Sequence, residues 1–316
     1  YVNALPHVGH AYELIATDAI ARYKRLTGHD VFFLTGTDEN SLNAERKARS
    51  LGIDPQDYVD QMASTIQEVW KKLNISNDDF VRTTQERHKR ASQELFRRAY
   101  DNGDIYVGTY DGWYCVSCEA FYRSEELDDG KCPLHNTKPE WIQEQNYFFA
   151  LSKYESRLLQ HIEDNPDFIQ PETRRNEVLA FIRSGLQDFS ISRSSMRWGI
   201  PVPTDPKQAL YVWFDALINY LTGVGWPTDM AKYEHYWPAD FHIVGKDIMR
   251  FHCVYWPAML MSGGLPLPKH VFGHGFIYLK SERMSKSLGT GLDPVAIADE
   301  YGADSLRYYV LREVPF

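Results

Sequence analysis

An unbroken apolar run is the feature that most restricts what this chain can fold into. Residues 31–34 read Val-Phe-Phe-Leu, and the run ends in the polar stretch Thr-Gly-Thr-Asp at 35–38. A run without polar alternation predicts a strand that is buried on both faces, as in a parallel sheet. Apolar residues at helical spacing flank it, over 10–27 and again after Asp54 and Pro55. The pattern therefore predicts a doubly wound, Rossmann-like α/β fold with a parallel sheet.

The patterns farther along the chain predict that this domain is split by an insertion. Residues 105–150 are rich in Tyr, Gly, Asp and Cys and carry only short alternating stretches. From Tyr211 the α/β pattern returns, with a helix predicted over 213–222, a strand over 241–245, a helix over 247–261 and a strand near 271–279. We therefore predict a split Rossmann-like domain formed by residues 1–104 and 206–268, an inserted domain over 105–205, and a loop-plus-helix segment over 269–316.

Composition and charge exclude several classes of protein. With 316 residues, 43% of them hydrophobic, the chain is too long for one small core and too apolar for a disordered protein. Its formal net charge of −9 argues against a protein that coats nucleic acid by bulk electrostatics, although local phosphate sites stay open. No apolar run has the length of a bilayer span, so we expect no membrane partner and a cytoplasmic protein. Because the sequence begins at Tyr1 and not at a methionine, an organellar protein without its leader stays open.

A cluster of cysteines predicts a metal site inside the insertion. Cys115 and Cys118 form one short pair, and Cys132 and His135 form a second. Three thiolates and an imidazole in two pairs are the ligand set of a closed tetrahedral zinc site, which has no open position, so we predict a structural Zn²⁺. The alternatives are a set of small buried residues or a redox Cys-x-x-Cys, and the latter would leave the second pair unexplained. Such clustering also favours a reducing compartment.

Two further motifs, one near each end of the chain, are ambiguous when each is taken alone. Residues 6–10 read Pro-His-Val-Gly-His, and the two histidines could be metal ligands, a base with its orienting partner, or solvated side chains. Residues 283–289 read Arg-Met-Ser-Lys-Ser-Leu-Gly. Such a loop suits phosphate, because lysine supplies charge and the hydroxyls and amides supply donors, but it would also suit a mobile surface loop.

Together, the two motifs resemble the His-Ile-Gly-His and Lys-Met-Ser-Lys-Ser signatures of the class I aminoacyl-tRNA synthetases. Arg283 stands in place of the first lysine, and both motifs occur in the expected order at the two ends of a split α/β fold. The chemistry of the first motif is consistent with phosphate binding, because a helix that starts near Gly9 offers amide donors and a positive dipole. Gly9 also lets a nucleotide approach the backbone closely.

Within that class the chain resembles the methionyl-tRNA synthetase family over nearly its whole length. The resemblance is carried by the stretches at 1–10, 33–39 (Phe-Leu-Thr-Gly-Thr-Asp-Glu), 77–84, 211–216 (Tyr-Val-Trp-Phe-Asp-Ala), 245–247 and 306–309. It implies ATP-dependent activation of methionine to methionyl-adenylate, with Mg²⁺, and transfer of the aminoacyl group to the acceptor end of methionine tRNA. The insertion with its zinc knuckle is similar to that family's connective peptide, and it is too short for a large editing domain.

The resemblance also implies roles for individual residues. It assigns His7, His10 and Lys286 to catalysis. It assigns the ATP site to the same three residues together with Gly9, Gly245, Asp247 and Ile277. It assigns methionine binding to Tyr1, Asp38, Trp213, Ala216, Tyr220, Ile248 and His252, with Asp38 holding the ammonium group. Spacing alone places Trp213 and Tyr220 on one helix face and Ile248 and His252 on another, which is equally consistent with an ordinary helix–sheet core.

The chain departs from the family pattern at several positions. Asn40 and Ser41 follow Glu39 where the family commonly has His-Gly, and residues 288–293 differ from the usual segment after the loop. The resemblance implies a strand before Tyr1 and a helical anticodon-binding domain after Phe316, so we expect a catalytic core that lacks that domain. The alternatives are a divergent paralogue, another class I synthetase or nucleotidyl transferase with a different substrate, and a non-catalytic zinc-knuckle adaptor.

Overall fold

The computed structural model describes residues 2, 4–117, 120–122, 124–194, 196–279, 282–283 and 292–314. Within these residues the α-helices, in chain order, are α1 (Val8–Leu26), α2 (Leu42–Leu51), α3 (Pro55–Lys72), α4 (Glu86–Asp101), α5 (Glu155–Asp164), α6 (Glu172–Arg183), α7 (Val212–Ala216), α8 (Asn219–Gly223), α9 (Met230–Tyr236), α10 (Trp256–Ser262), α11 (Pro294–Tyr301) and α12 (Ala303–Glu313). The strands are β1 (Leu34–Thr37), β2 (Asp79–Arg82), β3 (Ile105–Cys115), β4 (Ala120–Tyr122), β5 (Glu140–Phe149), β6 (Ile169–Gln170), β7 (Phe189–Ser190), β8 (Ser192–Arg193), β9 (Pro201–Val202), β10 (Asp205–Leu210), β11 (Phe241–Gly245), β12 (His270–His274), β13 (Tyr278–Leu279) and β14 (Glu282–Arg283).

The predicted parallel α/β architecture is confirmed. β1 pairs in parallel with β2 from Leu34 opposite Asp79 to Thr37 opposite Arg82. β11 pairs in parallel with β12 along its whole length, and β6 adds a third parallel strand on the far side of β12. One core contains the inward faces of α1, α2, α3, α11 and α12, and a larger one contains those of α4 to α8, α10 and the strands they cover. Helices pack against both parallel groups of strands, but β1 and β2 are only partly buried, and Gly36 of β1 is exposed.

The first predicted strand is displaced toward the C-terminus. The prediction covered 31–34, whereas β1 is Leu34–Thr37. The backbone of Phe33 is bonded to Asp78 and not to a strand: its N–H donates to the Asp78 carboxylate (2.7 Å), and its carbonyl accepts from the Asp78 N–H (2.8 Å). The ring of Phe32 packs against Tyr236, with the ring centroids 5.1 Å apart. The apolar run is therefore held by contacts with Asp78 and Tyr236. The strand β1 begins only at the last residue of the run, Leu34.

The helix that follows β11 is irregular, although the sequence predicted one regular helix over 247–261. A 3₁₀ turn over Lys246–Ile248 is followed by a π-helical turn over Phe251–Tyr255 and then by α10. Pro257 has no N–H to donate to the carbonyl four residues earlier, and Trp256 donates instead to the carbonyl of Phe251, five residues earlier. Similarly, the helix predicted over 213–222 is divided into α7 and α8, and α2 was not predicted at all.

The insertion is built on an antiparallel sheet with the strand order β4-β3-β5-β7. β3 and β5 pair from Ile105 opposite Phe149 to Tyr114 opposite Glu140. Residues 105–205 were predicted as one inserted domain, but β6 lies within that range and joins the parallel sheet through β12. The segment that was predicted to be inserted thus supplies a strand to the parallel sheet. No helix among the described residues is long and apolar enough to cross a membrane.

Candidate active site

The two histidines of the first motif form the N-terminal cap of α1. The Nδ1 atom of His7 accepts from the N–H of Gly9 (3.0 Å), and the Nδ1 atom of His10 accepts from the N–H of His7 (3.3 Å). An imidazole that accepts at Nδ1 carries its proton at Nε2. The ring centroids lie 4.1 Å apart. The start of α1 therefore combines two Nε2–H donors with the positive end of a helix dipole.

Gly9 is required by the cap itself. A Cβ atom built on Gly9 would lie 2.7 Å from Cε1 and 2.9 Å from Nδ1 of the His7 ring. Any side chain at this position would push the ring away from the N–H group that it accepts from. Gly9, which we explained from the sequence by a close approach of nucleotide, is thus also needed to leave room for the His7 ring.

The end of the lysine–serine loop lies beside the same cap. The N–H of Val8 donates to the carbonyl of Leu292 (3.0 Å), and the Asp293 side chain caps α11 by accepting from Val295. Lys286, with the rest of 284–291, lies outside the described residues. An open cavity of about 540 Å³ adjoins this junction and is lined by His7, α3 and the residues that start α11. The described part of the chain therefore places the residues that follow the second motif beside the first motif.

Tyr220 and His252 meet in the predicted methionine pocket. The Tyr220 hydroxyl and the His252 Nε2 atom lie 2.8 Å apart, and His252 Nδ1 lies 3.0 Å from the carbonyl of Ile248. A carbonyl can only accept, so Nδ1 carries the proton and Nε2 accepts from the tyrosine hydroxyl. Burial lowers the pKa of His252 to about 4, so the ring is neutral at neutral pH. The ring of Trp213 stacks on Phe251 at 3.8 Å in the same core.

Asp38 follows the last residue of β1, at the carboxyl end of a parallel strand. Burial raises the pKa of its carboxyl group. The pKa of Tyr220 is raised as well, first by burial and then by the charges of Asp38 and Glu13. Asp38 thus lies within electrostatic reach of Tyr220, and Ala216 is buried between Trp213 and Tyr220 along the chain. Tyr1, the remaining residue assigned to this pocket, lies outside the described residues.

Of the residues assigned to ATP, Gly245 and Asp247 lie at the carboxyl end of β11, and Ile277 follows the end of β12. Gly245 ends β11, and a Cβ atom there would lie 2.7 Å from Oδ1 of Asp247. Ile277 is half-buried and packs against the core that contains α1. Lys286 is the exception, because it falls outside the described ranges.

The sequence did not reveal an ion pair between α1 and β12. His274 donates from Nδ1 to the carbonyl of Gly275 (2.8 Å), and its Nε2 lies 3.0 Å from the Glu13 carboxylate. Burial alone would lower the pKa of His274, but the hydrogen bond and charge of Glu13 outweigh burial and raise it. Glu13 lies one helical turn after His10, so the pair ties the capped end of α1 to the strand before Ile277. Neither residue carried a motif that would have singled it out.

Asn40 and Arg193 are two further buried groups that sequence reasoning did not assign. Asn40 donates to the Asp215 carboxylate (2.9 Å) and to the carbonyl of Thr83 (3.1 Å). The Arg193 guanidinium stacks over the Tyr211 ring at 4.1 Å. Asn40, Arg193 and Tyr211 line one small cavity. In the sequence, Asn40 was notable only because it departs from the family pattern. Arg193 carried no signal of a functional role, because a single arginine in a polar stretch is common.

Three of the four predicted zinc ligands come together in the insertion. The ligand atoms of Cys115, Cys132 and His135 all lie within 4.8 Å of one another. Both thiols are buried, and the Cys132 sulfur lies 3.8 Å from Nδ1 of His135. Two ligands of a tetrahedral zinc ion are separated by roughly 3.6 Å for one sulfur and one nitrogen, so these residues fit the group. Cys118 lies outside the described residues.

A family model described as class I tRNA synthetases (M) matches residues 1–134 and 118–316. The chain belongs to the methionyl-tRNA synthetase family. A curated methionine–tRNA ligase of Halalkalibacterium halodurans is 54% identical over 98% of this chain and 49% of its own length. The chain thus spans about half the length of this methionyl-tRNA synthetase relative.

Two solved structures from the family are similar to this chain along its whole length. Methionyl-tRNA synthetase of Mycobacterium tuberculosis in complex with methionyl-adenylate is 52% identical, with a TM-score of 0.97, and this chain covers 63% of it. The free form of the Mycobacterium tuberculosis enzyme is 50% identical, with a TM-score of 0.81, and 60% of it is covered. Of these two backbones, the chain is closer to that of the adenylate-bound enzyme.

Proposed function

We propose that the chain activates methionine with ATP to form methionyl-adenylate and passes the methionyl group to methionine tRNA. The observation that carries this proposal is the hydrogen bond from Tyr220 to a neutral His252 beside the stacked ring of Trp213. A neutral pocket with aromatic walls suits an unbranched thioether, whose sulfur gains about 0.3–1.5 kcal/mol from contact with a ring. The similarity to an adenylate-bound synthetase supports the same substrate.

Within this pocket the residues bind different parts of methionine. Asp38, at the end of β1, binds the ammonium group of methionine. Trp213, Ala216 and Ile248 enclose the side chain, and His252 with Tyr220 forms its far end. Tyr1 is assigned to the same pocket by resemblance alone. Because the His252 ring is neutral, it does not compete with the substrate ammonium for Asp38.

The first chemical step is attack by the methionine carboxylate on the α-phosphorus of ATP. A bond forms between the carboxylate oxygen and phosphorus, and the bond from phosphorus to the bridging oxygen of pyrophosphate breaks. Because the carboxylate is already ionised, no protein base is needed. Catalysis rests on alignment of the two substrates and on donors to the charged phosphate oxygens. The Nε2–H groups of His7 and His10 and the ammonium of Lys286 are those donors.

ATP is held around the junction of α1, β11 and β12. Gly9 and Gly245 keep the backbone open to the nucleotide, Asp247 binds the ribose and Ile277 packs on the adenine. The one group of three metal-ligating side chains among the described residues is Cys115, Cys132 and His135, and thiolates do not suit Mg²⁺. Mg²⁺ would bind the phosphates of ATP and neutralise part of their charge.

In the second step the methionyl group passes from the adenylate to the 2′-hydroxyl of the terminal adenosine of methionine tRNA, and AMP leaves. This partner and a cytoplasmic location remain predictions, because the chain spans only part of its relatives.

We propose a structural Zn²⁺ held by Cys115, Cys118, Cys132 and His135. The buried thiols and the Tyr122 hydroxyl 3.6 Å from the Cys132 sulfur suit a closed site with an outer hydrogen bond. Metal analysis should find one zinc per chain, and the Cys132→Ser variant should lose it. Full zinc content in that variant would contradict this ligand assignment.

The test of the proposed activity is exchange of labelled pyrophosphate into ATP with each of the twenty amino acids in turn. We expect exchange with methionine only. The Lys286→Ala variant should lower the exchange rate far more than methionine affinity, because lysine acts on the phosphates. The Lys269→Ala variant is a matched control, since Lys269 pairs with Asp240 on the surface. Exchange with a different amino acid and not with methionine would overturn the proposed substrate. No exchange with any amino acid would favour a paralogue or an adaptor.

A further inference from the structure

We propose that Asn40 and Asp215 form a positioning pair that fixes the amino-acid site, with Asp215 acting as a neutral carboxylic acid. The inference rests on the proposed function, because it concerns the spacing between Asp38 and the helix that carries Trp213 and Ala216. Neither member of the pair touches substrate. Together they brace two segments that are 175 positions apart in the sequence.

The brace joins three elements at one point. The Asn40 amide donates to Asp215 on α7 (2.9 Å) and also to the carbonyl of Thr83, directly after β2 (3.1 Å). The N–H of Glu39 donates to the Thr83 hydroxyl (2.8 Å), so the turn after β1 is fixed to the end of β2 twice. Asn40 is 2% exposed and Asp215 is fully buried. Water therefore does not offer a substitute partner if either side chain is removed.

The position of the brace connects it to the substrate pocket. Asn40 lies two residues after Asp38, the proposed ammonium ligand. Asp215 lies between Trp213 and Ala216 on α7, which the proposal places against the methionine side chain. A helix of five residues has little rigidity of its own, so an anchor is needed to hold it. The hydrogen bond from Asn40 sets how far α7 lies from the ammonium site.

Among the described residues, no charged partner lies beside Asp215 that would stabilise its ionised form. Its Oδ2 atom accepts from Asn40, and its Oδ1 atom is buried without a hydrogen-bond partner among the described residues. The nearest base is His88, whose Nε2 lies 4.0 Å from Oδ1. Burial lowers the pKa of His88 to about 3, so that ring is neutral. Burial and the charges of Asp38 and Glu39 raise the pKa of Asp215, and the Asn40 bond only partly opposes them.

The test measures the KM for methionine and the KM for ATP separately in pyrophosphate exchange. Asn40→Ala should raise the KM for methionine about tenfold or more and leave the KM for ATP within about threefold, because the brace serves the amino-acid side of the site. Asp215→Asn keeps an acceptor for Asn40 and the shape of a neutral acid, so it should remain within about threefold of the unmodified chain in both constants. Asp215→Leu removes the acceptor and should behave like Asn40→Ala.

Ser262→Ala is the matched control for loss of a buried hydrogen bond away from the site. Ser262 is buried and donates to Asp104 (2.8 Å), at the far end of α10. This variant should lower the melting temperature and leave the KM for methionine unchanged. A merely structural role for the brace predicts that Asn40→Ala gives the same result as Ser262→Ala.

Several outcomes overturn the inference. An Asn40→Ala chain with an unchanged KM for methionine, or with both KM values raised equally, overturns the brace. An Asp215→Asn chain as impaired as Asp215→Leu shows that the ionised carboxylate is required, and this isosteric variant stays informative where a truncated one does not fold. If the unmodified chain supports no exchange with methionine, the proposed function fails first and the inference fails with it. If the unmodified chain is active and the Asn40 variants match it, the inference alone fails.

Discussion

At the scale of single residues, one imidazole ring explains two positions of the motif at 6–10. The His7 ring accepts from the N–H of Gly9 and occupies the space that a side chain at Gly9 would need. His7 is thus a helix cap whose other nitrogen, Nε2, carries the proton of the ring. In the proposed function, the same ring shapes the helix and supplies a donor to phosphate. The helix cap and the proposed catalytic role therefore both require the same orientation of the His7 ring, and that orientation requires glycine at position 9.

The Gly9→Ala variant tests this coupling. Its methyl group would displace the His7 ring, so we expect exchange of pyrophosphate to fall about 10²-fold or more, as when one transition-state donor is lost. The melting temperature should change little, because the cap is one local hydrogen bond. Thr17→Ala, on the same helix and away from the site, is the control and should keep its activity. An active Gly9→Ala chain would show that the orientation of His7 is unimportant.

Buried histidines should make the chain sensitive to acid. Burial lowers the pKa of His88 to about 3 and that of His252 to about 4. The unfolded chain binds protons at these rings below its ordinary pKa near 6.5, while the folded chain does not, so the free energy of unfolding falls as the pH falls from about 6.5 toward 4. At pH 5 each ring should remove about 2 kcal/mol relative to pH 8.

Urea denaturation between pH 8 and pH 5 measures this dependence. The His88→Gln variant should lose part of the fall in unfolding free energy, since its side chain does not titrate. His29→Gln, at the exposed end of α1, is the control and should retain the dependence of the unmodified chain. An identical dependence in the His88→Gln and unmodified chains would contradict the assigned cause.

At the scale of elements, the sequence predicted regular helices well and their irregular neighbours poorly. Asp54 caps α3 with Pro55 at its first position, as the local signal indicated, because caps depend only on nearby residues. The start of β1 and the π-helical turn before Pro257 depend on partners far along the chain. α2 is short, and Ser41 caps it by accepting from Ala44 at 3.1 Å. In the sequence, Ser41 was notable only because it departs from the His-Gly pattern of the family.

The attachment of α12 to α1 gives a prediction at the same scale. Arg307 on α12 donates to the fully buried Asp18 of α1 (2.5 Å) and to the carbonyl of Leu73 (3.1 Å). Asp18 also accepts from Arg22 and Ser76, so the arginine completes a buried network. Truncating one partner of such a pair costs about 3 kcal/mol, and we expect that loss of unfolding free energy for Arg307→Ala in urea.

Arg312→Ala is the control for the α12 prediction. Arg312 is 65% exposed and pairs with Glu313 on the surface, so its loss should cost less than about 1 kcal/mol. Equal losses for the two variants would mean that the network does not fasten α12 to α1.

At the scale of the whole molecule, the sequence suggested residues for the candidate site but not what holds them in place. His7 and His10 belong to a motif, and motifs are local, whereas Tyr220 and His252 were assigned by the resemblance to a family. The pairs that position them, such as Asn40 with Asp215 and Glu13 with His274, join residues 175 and 261 positions apart. Such pairs become visible only when the topology brings their elements together. Their members individually look like ordinary polar residues.

Another distant pair links α2 to the start of β5 at the surface. Arg46 on α2 makes two hydrogen bonds of 2.9 Å to the Glu140 carboxylate at the start of β5. Nearby, Asn43 donates to the carbonyl of Val116 (2.7 Å), one residue after Cys115. The knuckle is therefore fastened to α2 at two points. Both charged side chains are about half exposed, so the ion pair should contribute about 0.2–1 kcal/mol.

Hydrogen exchange at the amides of β5 and the neighbouring knuckle residues measures this attachment. Arg46→Glu places two negative charges together, and exchange there should become about two to five times faster, which corresponds to the weakening of an exposed pair. The swap Arg46→Glu with Glu140→Arg restores opposite charges and should return exchange to the rate of the unmodified chain. Arg97→Glu, which disturbs an exposed pair on α4, should leave these amides unchanged. If the swapped chain exchanges as fast as the single variant, the charges do not fasten the insertion, and the Asn43 hydrogen bond alone holds the knuckle against α2.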